Sequence, residues 1–162
     1  VASRLNKALH LDNVGFAGLE AHVNSFGEPP FKFAMKLGVV HWKKLASELV
    51  VAFPVEVTIQ DGGTDGLASL SVVARATYGF REELTGDALE AIPHYLGIVG
   101  WMQVWPYIRA EIQDLSTKLG FPPLTLPVLL TGQTRHVPVR ATDDTISADN
   151  MGTEEEFPLP SG

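Results

Sequence analysis

The sequence predicts an α+β domain, a four-stranded antiparallel sheet followed by two helices packed on one of its faces. Three observations carry this expectation. Strict apolar/polar alternation recurs in the first half of the chain, the period changes from 2 to 3.6 after residue 83, and a turn-rich "QDGGTDGLA" joins the two longest alternating runs.

The strands follow in order. Leu19, Ala21 and Val23 alternate with Glu20, His22 and Asn24 in a short first strand, and the turn-rich "SFGEPP" leads out of it. Phe31, Phe33, Met35, Leu37 and Val39 alternate with Lys32, Lys36 and Gly38 in a second, after which Val40–Leu45 reads as irregular. In 49–60 the odd positions Leu49, Val51, Phe53, Val55, Val57 and Ile59 form one apolar face. In 70–80 the even positions Leu70, Val72, Ala74, Ala76, Tyr78 and Phe80 do the same. Asp61-Gly62-Gly63 supplies the reversal that makes these two a hairpin. Pro54 has no N–H for a ladder and therefore marks an edge or a bulge.

Asp87 and Glu90 have the spacing of a capping box, and Leu89, Ile92, Leu96 and Val99 continue at helical intervals, with Pro93 kinking or restarting the segment. Pro106 is placed as a first-turn proline of a second helix, whose stripe is Ile108, Ile112, Leu115 and Leu119. Gly120 ends that helix, Pro122-Pro123 prevents its return, and "LTLPVLL" follows as an extended segment.

The chain of 162 residues suits a single domain over 1–140 with an acidic, disordered tail over 141–162. Six of the 19 acidic residues lie beyond Arg140 with no Lys or Arg among them, leaving 13 acids against 12 bases in the body. So neutral a body has no basic stripe for nucleic acid, and the tail would repel it. No cysteine is present, which excludes disulfides, thiolate catalysis and Cys-based zinc sites. The apolar run Leu96–Trp105 is too short and too interrupted to span a membrane, and the first residues lack the pattern of a secretory signal. The expectation is a soluble cytoplasmic protein.

Catalytic chemistry is hard to find. His10, His22, His41, His94 and His136 are dispersed, and no GxSxG, GxGxxG or Walker-type loop occurs. The sequence therefore reads as a non-enzyme that needs no cofactor and no metal. What remains is an aromatic and apolar load able to line a groove beside the sheet: Phe26, Phe31, Phe33, Val40, Trp42, Leu45, Leu49, Trp101, Trp105, Leu119 and Phe121. Any of these could instead complete the core. A groove of this kind means a partner.

The segment "PYIRAEIQDLSTKLGFPPLTLP", residues 106–127, resembles the region of the SecB chaperone family in which a Pro-Tyr-x-Arg helix start leads through an amphipathic helix to Phe-Pro and a Leu-x-Leu strand. The order of strands and helices over residues 15–130 is similar to that family, and the motif is most similar to the divergent SecB-like chaperones associated with toxin–antitoxin systems. The resemblance implies an ATP-independent holdase for unfolded or partly folded polypeptides, either preproteins for export or an antitoxin. It also implies a homotetramer, a dimer of dimers with eight-stranded sheets outside and the first helices at the centre. Ser71, Arg75 and Thr77 stand where the export family presents acidic positions to the Sec motor SecA, so SecA is only an alternative partner. Other readings stay open: a small-molecule binding protein or enzyme that uses the groove as a cavity, and an adaptor for one folded partner.

Overall fold

The computed structural model describes residues 2–62, 66–143, 146 and 157–158, with side chains from Arg4 onward except at 157–158. A short helix α1 (Ala2–Ala8) precedes strands β1 (Leu9–Val23), β2 (Lys32–Leu37), β3 (Val40–Lys44), β4 (Glu48–Gln60) and β5 (Ala68–Phe80). Two helical turns follow, α2 (Asp87–Glu90) and α3 (Ile92–Tyr95), and then a π-helical turn (Leu96–Gly100) that runs into the long helix α4 (Trp101–Lys118). Strands β6 (Val139–Ala141) and β7 (Phe157–Pro158) end the described chain.

The hairpin is the centre of the sheet. β4 and β5 pair antiparallel from Ile59↔Ala68 to Glu48↔Gly79 without a break, so the odd positions of β4 and the even positions of β5 share one face. That face is the core: Leu49, Val51, Phe53, Val57, Leu70, Val72, Ala74, Ala76 and Tyr78 are all inaccessible to solvent. Gly62 takes φ +100° at the reversal, and residues 63–65 lie outside the described residues.

β1 pairs antiparallel with β5 on one side, while β2 and β3 pair antiparallel with β4 on the other. β2 and β3 are two halves of one strand. The register Leu37↔Val55 gives way to His41↔Ala52, a one-residue slip at Gly38–Val39 opposite Pro54. The Gly38 N–H still donates to the Pro54 carbonyl at 2.9 Å, but Pro54 has no N–H to return. The expected bulge is therefore present, and with β2 and β3 joined the four expected antiparallel strands stand in the order β1-β5-β4-β2/β3; the short strands β6, parallel to β3, and β7, antiparallel to β2, extend the sheet beyond that expectation. A Cβ on Gly38 would lie 2.7 Å from Pro54 Cγ, so only glycine lets the chains approach this closely.

Four expectations are corrected. Val40–Lys44 is strand β3 rather than irregular chain. β1 starts ten residues earlier than the alternation at Leu19 suggested, because register shifts at Leu11/Asn13 and Phe16/Gly18 each move its apolar set to the other parity. The N-cap of α2 is Gly86 with φ 54°, without a side-chain cap, so Asp87 is the first helical residue and no capping box forms. α4 begins at Trp101, so Pro106 lies inside it. Met102 and Pro106 share the exposed face of α4, where water can serve the carbonyl that proline leaves without a donor. Pro93 does restart the helix, entering at the start of α3.

α4 lies on the core face of the sheet through Trp101, Val104, Trp105, Ile108 and Ile112. Trp101 meets Phe53 edge to face at 5.0 Å, and Gly100 permits the contact, since a Cβ there would be 2.9 Å from Phe53 Cζ. Gly97 is likewise used within the chain, its carbonyl accepting the buried Thr134 hydroxyl. Beyond α4, β6 runs parallel to β3. Ile146 is buried with Val50, Ala52 and Val73 on the opposite face, and β7 pairs with Lys36–Leu37. The rest of the segment expected to be disordered lies outside the described residues.

Gly100→Ala is expected to cost about 1–3 kcal/mol by overpacking against Phe53, read as a lower urea midpoint at unchanged slope. A second expectation concerns alkali. Burial, and then Tyr95, hold the Tyr78 phenol well above its ordinary 10.0, while its hydroxyl donates to Gln103 at 2.9 Å. Unfolding restores the ordinary value, so above about pH 10 the unfolded chain loses a proton that the folded chain keeps, and stability falls as pH rises. Tyr78→Phe should flatten that decline in a pH series of thermal melts.

Candidate functional site

The candidate surface is built at the C-terminal end of α4. Leu119 is the C-cap, Gly120 follows with φ +89°, and two backbone bonds close the helix: Gly120 N–H to Thr117 and Phe121 N–H to Ser116, both 3.0 Å. This is a Schellman motif, and it projects Phe121 from the helix end in one direction. The Ser116 hydroxyl donates to Gln113 and accepts from the Leu124 N–H, turning the chain back along α4. Arg109 Nε then donates to Leu126 and Trp105 Nε1 to Pro127, each at 2.9 Å, which fastens the extended "LTLPVLL" segment to the helix.

The crossover between β1 and β2 comes to meet Phe121. Its first residues are tied to the β4–β5 turn, with the Asn24 and Ser25 N–H groups both donating to the Leu67 carbonyl. From there Phe26 stacks on Phe121 at 5.3 Å, and Phe31 meets the same ring edge-on at 5.7 Å. Phe121 is buried beneath them, Phe31 is half-buried and Phe26 is 68% exposed. The sheet extends this surface. Val23, Ala68, Ile59 and Phe33 form one cross-strand row on the core face, buried in the middle and exposed at both ends. On the β2 side that row ends at an edge: no strand pairs with the outer side of Lys32–Met35 among the described residues.

The eleven candidate residues therefore separate. Phe26, Phe31, Phe33 and Phe121 are on this surface or directly under it, and Leu119, the C-cap of α4, is partly buried against the core. Val40, Leu49 and Trp101 are inaccessible, while Trp42 and Trp105 are 8% and 3% exposed, so these five belong to the core of the chain. The reason for Val40 and Trp42 is the bulge at Gly38–Val39, which turns the even positions of β3 to the core face. Leu45 is exposed, but at the tight turn between β3 and β4, where its N–H donates to Glu48. Leu19 and Val23 add exposed apolar area on the same face of β1. Their alternation showed that they face one side of the sheet, and only the tertiary structure shows that this side is open there.

Cavities among the described residues lie elsewhere: one of about 930 Å³ between α1 and the β5–α2 connection, among Arg4, Lys7, Arg81, Glu82, Glu83 and Asp87, a second beside Pro93, Gly97 and Val139, and a third beside Asn13, Phe16 and Arg75. None of the eleven candidates lines any of the three. Among the described residues no three His, Asp or Glu side chains gather as a metal site. No helix among them is long and apolar enough to cross a membrane.

A four-stranded antiparallel sheet with a bulged edge strand, covered on one face by a long helix and the extended segment after it, is the SecB-like fold. The chain superposes on the Mycobacterium tuberculosis Rv1957 SecB-like chaperone, solved in complex with a ChAD peptide from the Rv1956 HigA1 antitoxin, with a TM-score of 0.68. The two are 24% identical, and the match covers 80% of this chain and 96% of that one. No protein-family model and no curated protein matches the sequence.

The separation of the aromatics is measurable. Trp105→Ala should cost about 3–5 kcal/mol in a denaturant titration, the ordinary cost of emptying a core site. Phe26→Ser should stay within about 0.5 kcal/mol of the parent, as exposed substitutions do.

Proposed function

We propose that the protein is an ATP-independent holdase that binds an extended apolar segment of a client polypeptide, with an antitoxin as the client class. The observation that supports this most is the aromatic surface of Phe26, Phe31 and Phe33 over Phe121, lying beside the open edge of β2. Apolar burial contributes about 1.5–3 kcal/mol for each ring fully covered, whatever the client's sequence, and backbone pairing at a strand edge adds affinity without side-chain specificity. The fold-related Mycobacterium tuberculosis chaperone carries an antitoxin peptide, which supports a polypeptide occupant and an antitoxin client. Coupling to SecA is not part of the proposal, since the face of β5 opposite the core presents Ser71, an exposed Arg75 and Thr77.

The reading is cytoplasmic and non-catalytic, and it includes a homotetramer. Exposed Met102 and Tyr107 on α4, and an outer edge of β1 without a strand partner among the described residues, are surfaces that assembly would cover.

Phe26→Ser and Phe33→Ser together should weaken binding of a permanently unfolded chain, such as reduced and carboxymethylated α-lactalbumin, by roughly 10- to 100-fold. Melting temperature and oligomer size should hardly change. Unaltered binding in the folded double variant would remove the surface from the proposal. Light scattering at micromolar concentration is expected to return a mass well above the monomer, and a monomer would remove the tetramer.

A further inference from the structure

The chain after α4 returns three times to the sheet. β6 runs along β3, with the Thr142 N–H donating to the Trp42 carbonyl at 2.9 Å and Lys43 Nζ donating to the Asp143 carbonyl at 2.8 Å. Ile146 is then buried on the other face, among Val50, Ala52 and Val73. At its last described point the chain pairs antiparallel with the outer edge of β2, Phe157 opposite Leu37 and Pro158 opposite Lys36. This is the same strand edge that the aromatic surface borders.

We propose that the C-terminal segment around Phe157–Pro158 is an internal occupant of the client edge, a short strand that holds the end of β2 until a client strand displaces it. The inference rests on the chaperone reading and adds its regulation. The contact is suited to displacement. It is two residues long, and Pro158 has no N–H to extend the ladder, so few hydrogen bonds must be exchanged. It is also intramolecular: the anchors at Thr142, Asp143 and Ile146 keep the segment near β2, where a tethered strand acts at an effective concentration of order millimolar. A weak strand at that concentration competes with loosely bound chains and yields to a client that also covers the rings of Phe26 and Phe33. The device would thus favour apolar clients over arbitrary extended ones.

The test compares the full chain with one ending at Asn150, which keeps Ile146 and removes 151–162. The probe is fluorescently labelled, reduced and carboxymethylated α-lactalbumin, titrated by anisotropy, with melting temperature as the folding control. The shortened chain is expected to bind about threefold to tenfold more tightly, and a synthetic peptide of residues 151–162 added in trans should compete with the probe. Equal affinity of the two chains, or weaker binding by the shortened chain, would overturn the internal-occupant role while leaving the chaperone reading in place. If the shortened chain fails to fold, the peptide in trans against the full chain decides: failure to reduce probe binding overturns the proposal. Absence of probe binding by both folded chains would overturn the chaperone reading and this inference with it.

Discussion

Pro54 has no N–H to give to a neighbouring strand, and it sits in the strand around which the sheet is built. On one side β4 is paired with β5 along its whole length; on the other, the partner strand meets a residue that can accept but cannot donate. The chain answers with one extra residue at Gly38–Val39, and the consequences spread from there. Phe33, Met35 and Leu37 face the core before the bulge, Val40 and Trp42 after it. The two halves also acquire separate outer neighbours, β6 along β3 and β7 at the end of β2. Without the slip, one long edge would present a single parity, and the open apolar margin at Phe33 would not be set apart from the closed one at Trp42.

The second constraint is the end of α4. Gly120 in a positive-φ conformation completes the Schellman bonds, and Phe121 becomes a fixed platform that is itself buried. Phe26 and Phe31 lie on that platform, so part of the exposed aromatic surface is positioned by a core residue. Phe121 is thus a core residue that also orients an exposed ring, and the boundary between core and surface falls between Phe26 and Phe121. Trp105 and Arg109 extend the same logic along the helix, spending their N–H groups on the backbone of Leu126 and Pro127. Leu126 and Leu129 are thereby buried while Val128 and Leu130 remain exposed.

The regular parts of the fold were legible because their periodicity is uninterrupted. The β4–β5 hairpin keeps one register from end to end, so strict alternation along 49–60 and 70–80 translated directly into a core face. The stop at Gly120 was readable for a similarly local reason, since a positive φ at a helix end favours glycine. Pro54 announced an irregularity in the ladder for want of an N–H, which the structure places in the strand opposite at Gly38–Val39, and the motif beginning at Pro106 indicated the family whose fold the structure shows.

What sequence by itself determined was thus the fold class, the central hairpin, the end of the long helix and the presence of more aromatic surface than strand alternation explains. Tertiary structure decided where each aromatic went. β1 hid most of its length because two register shifts move its apolar set from Leu9 and Leu11 to Val14 and Phe16 and then to Leu19, Ala21 and Val23. No single period survives such shifts. Trp42 and Trp105 look no different in sequence from Phe26 and Phe31, yet a bulge in Trp42's own strand, opposite Pro54, and a hydrogen bond from Trp105 to Pro127 place the first pair inside. Exposure is a property of what lies across from a residue, and for these rings the covering groups come from strands, helix ends and a C-terminal segment far away in the chain.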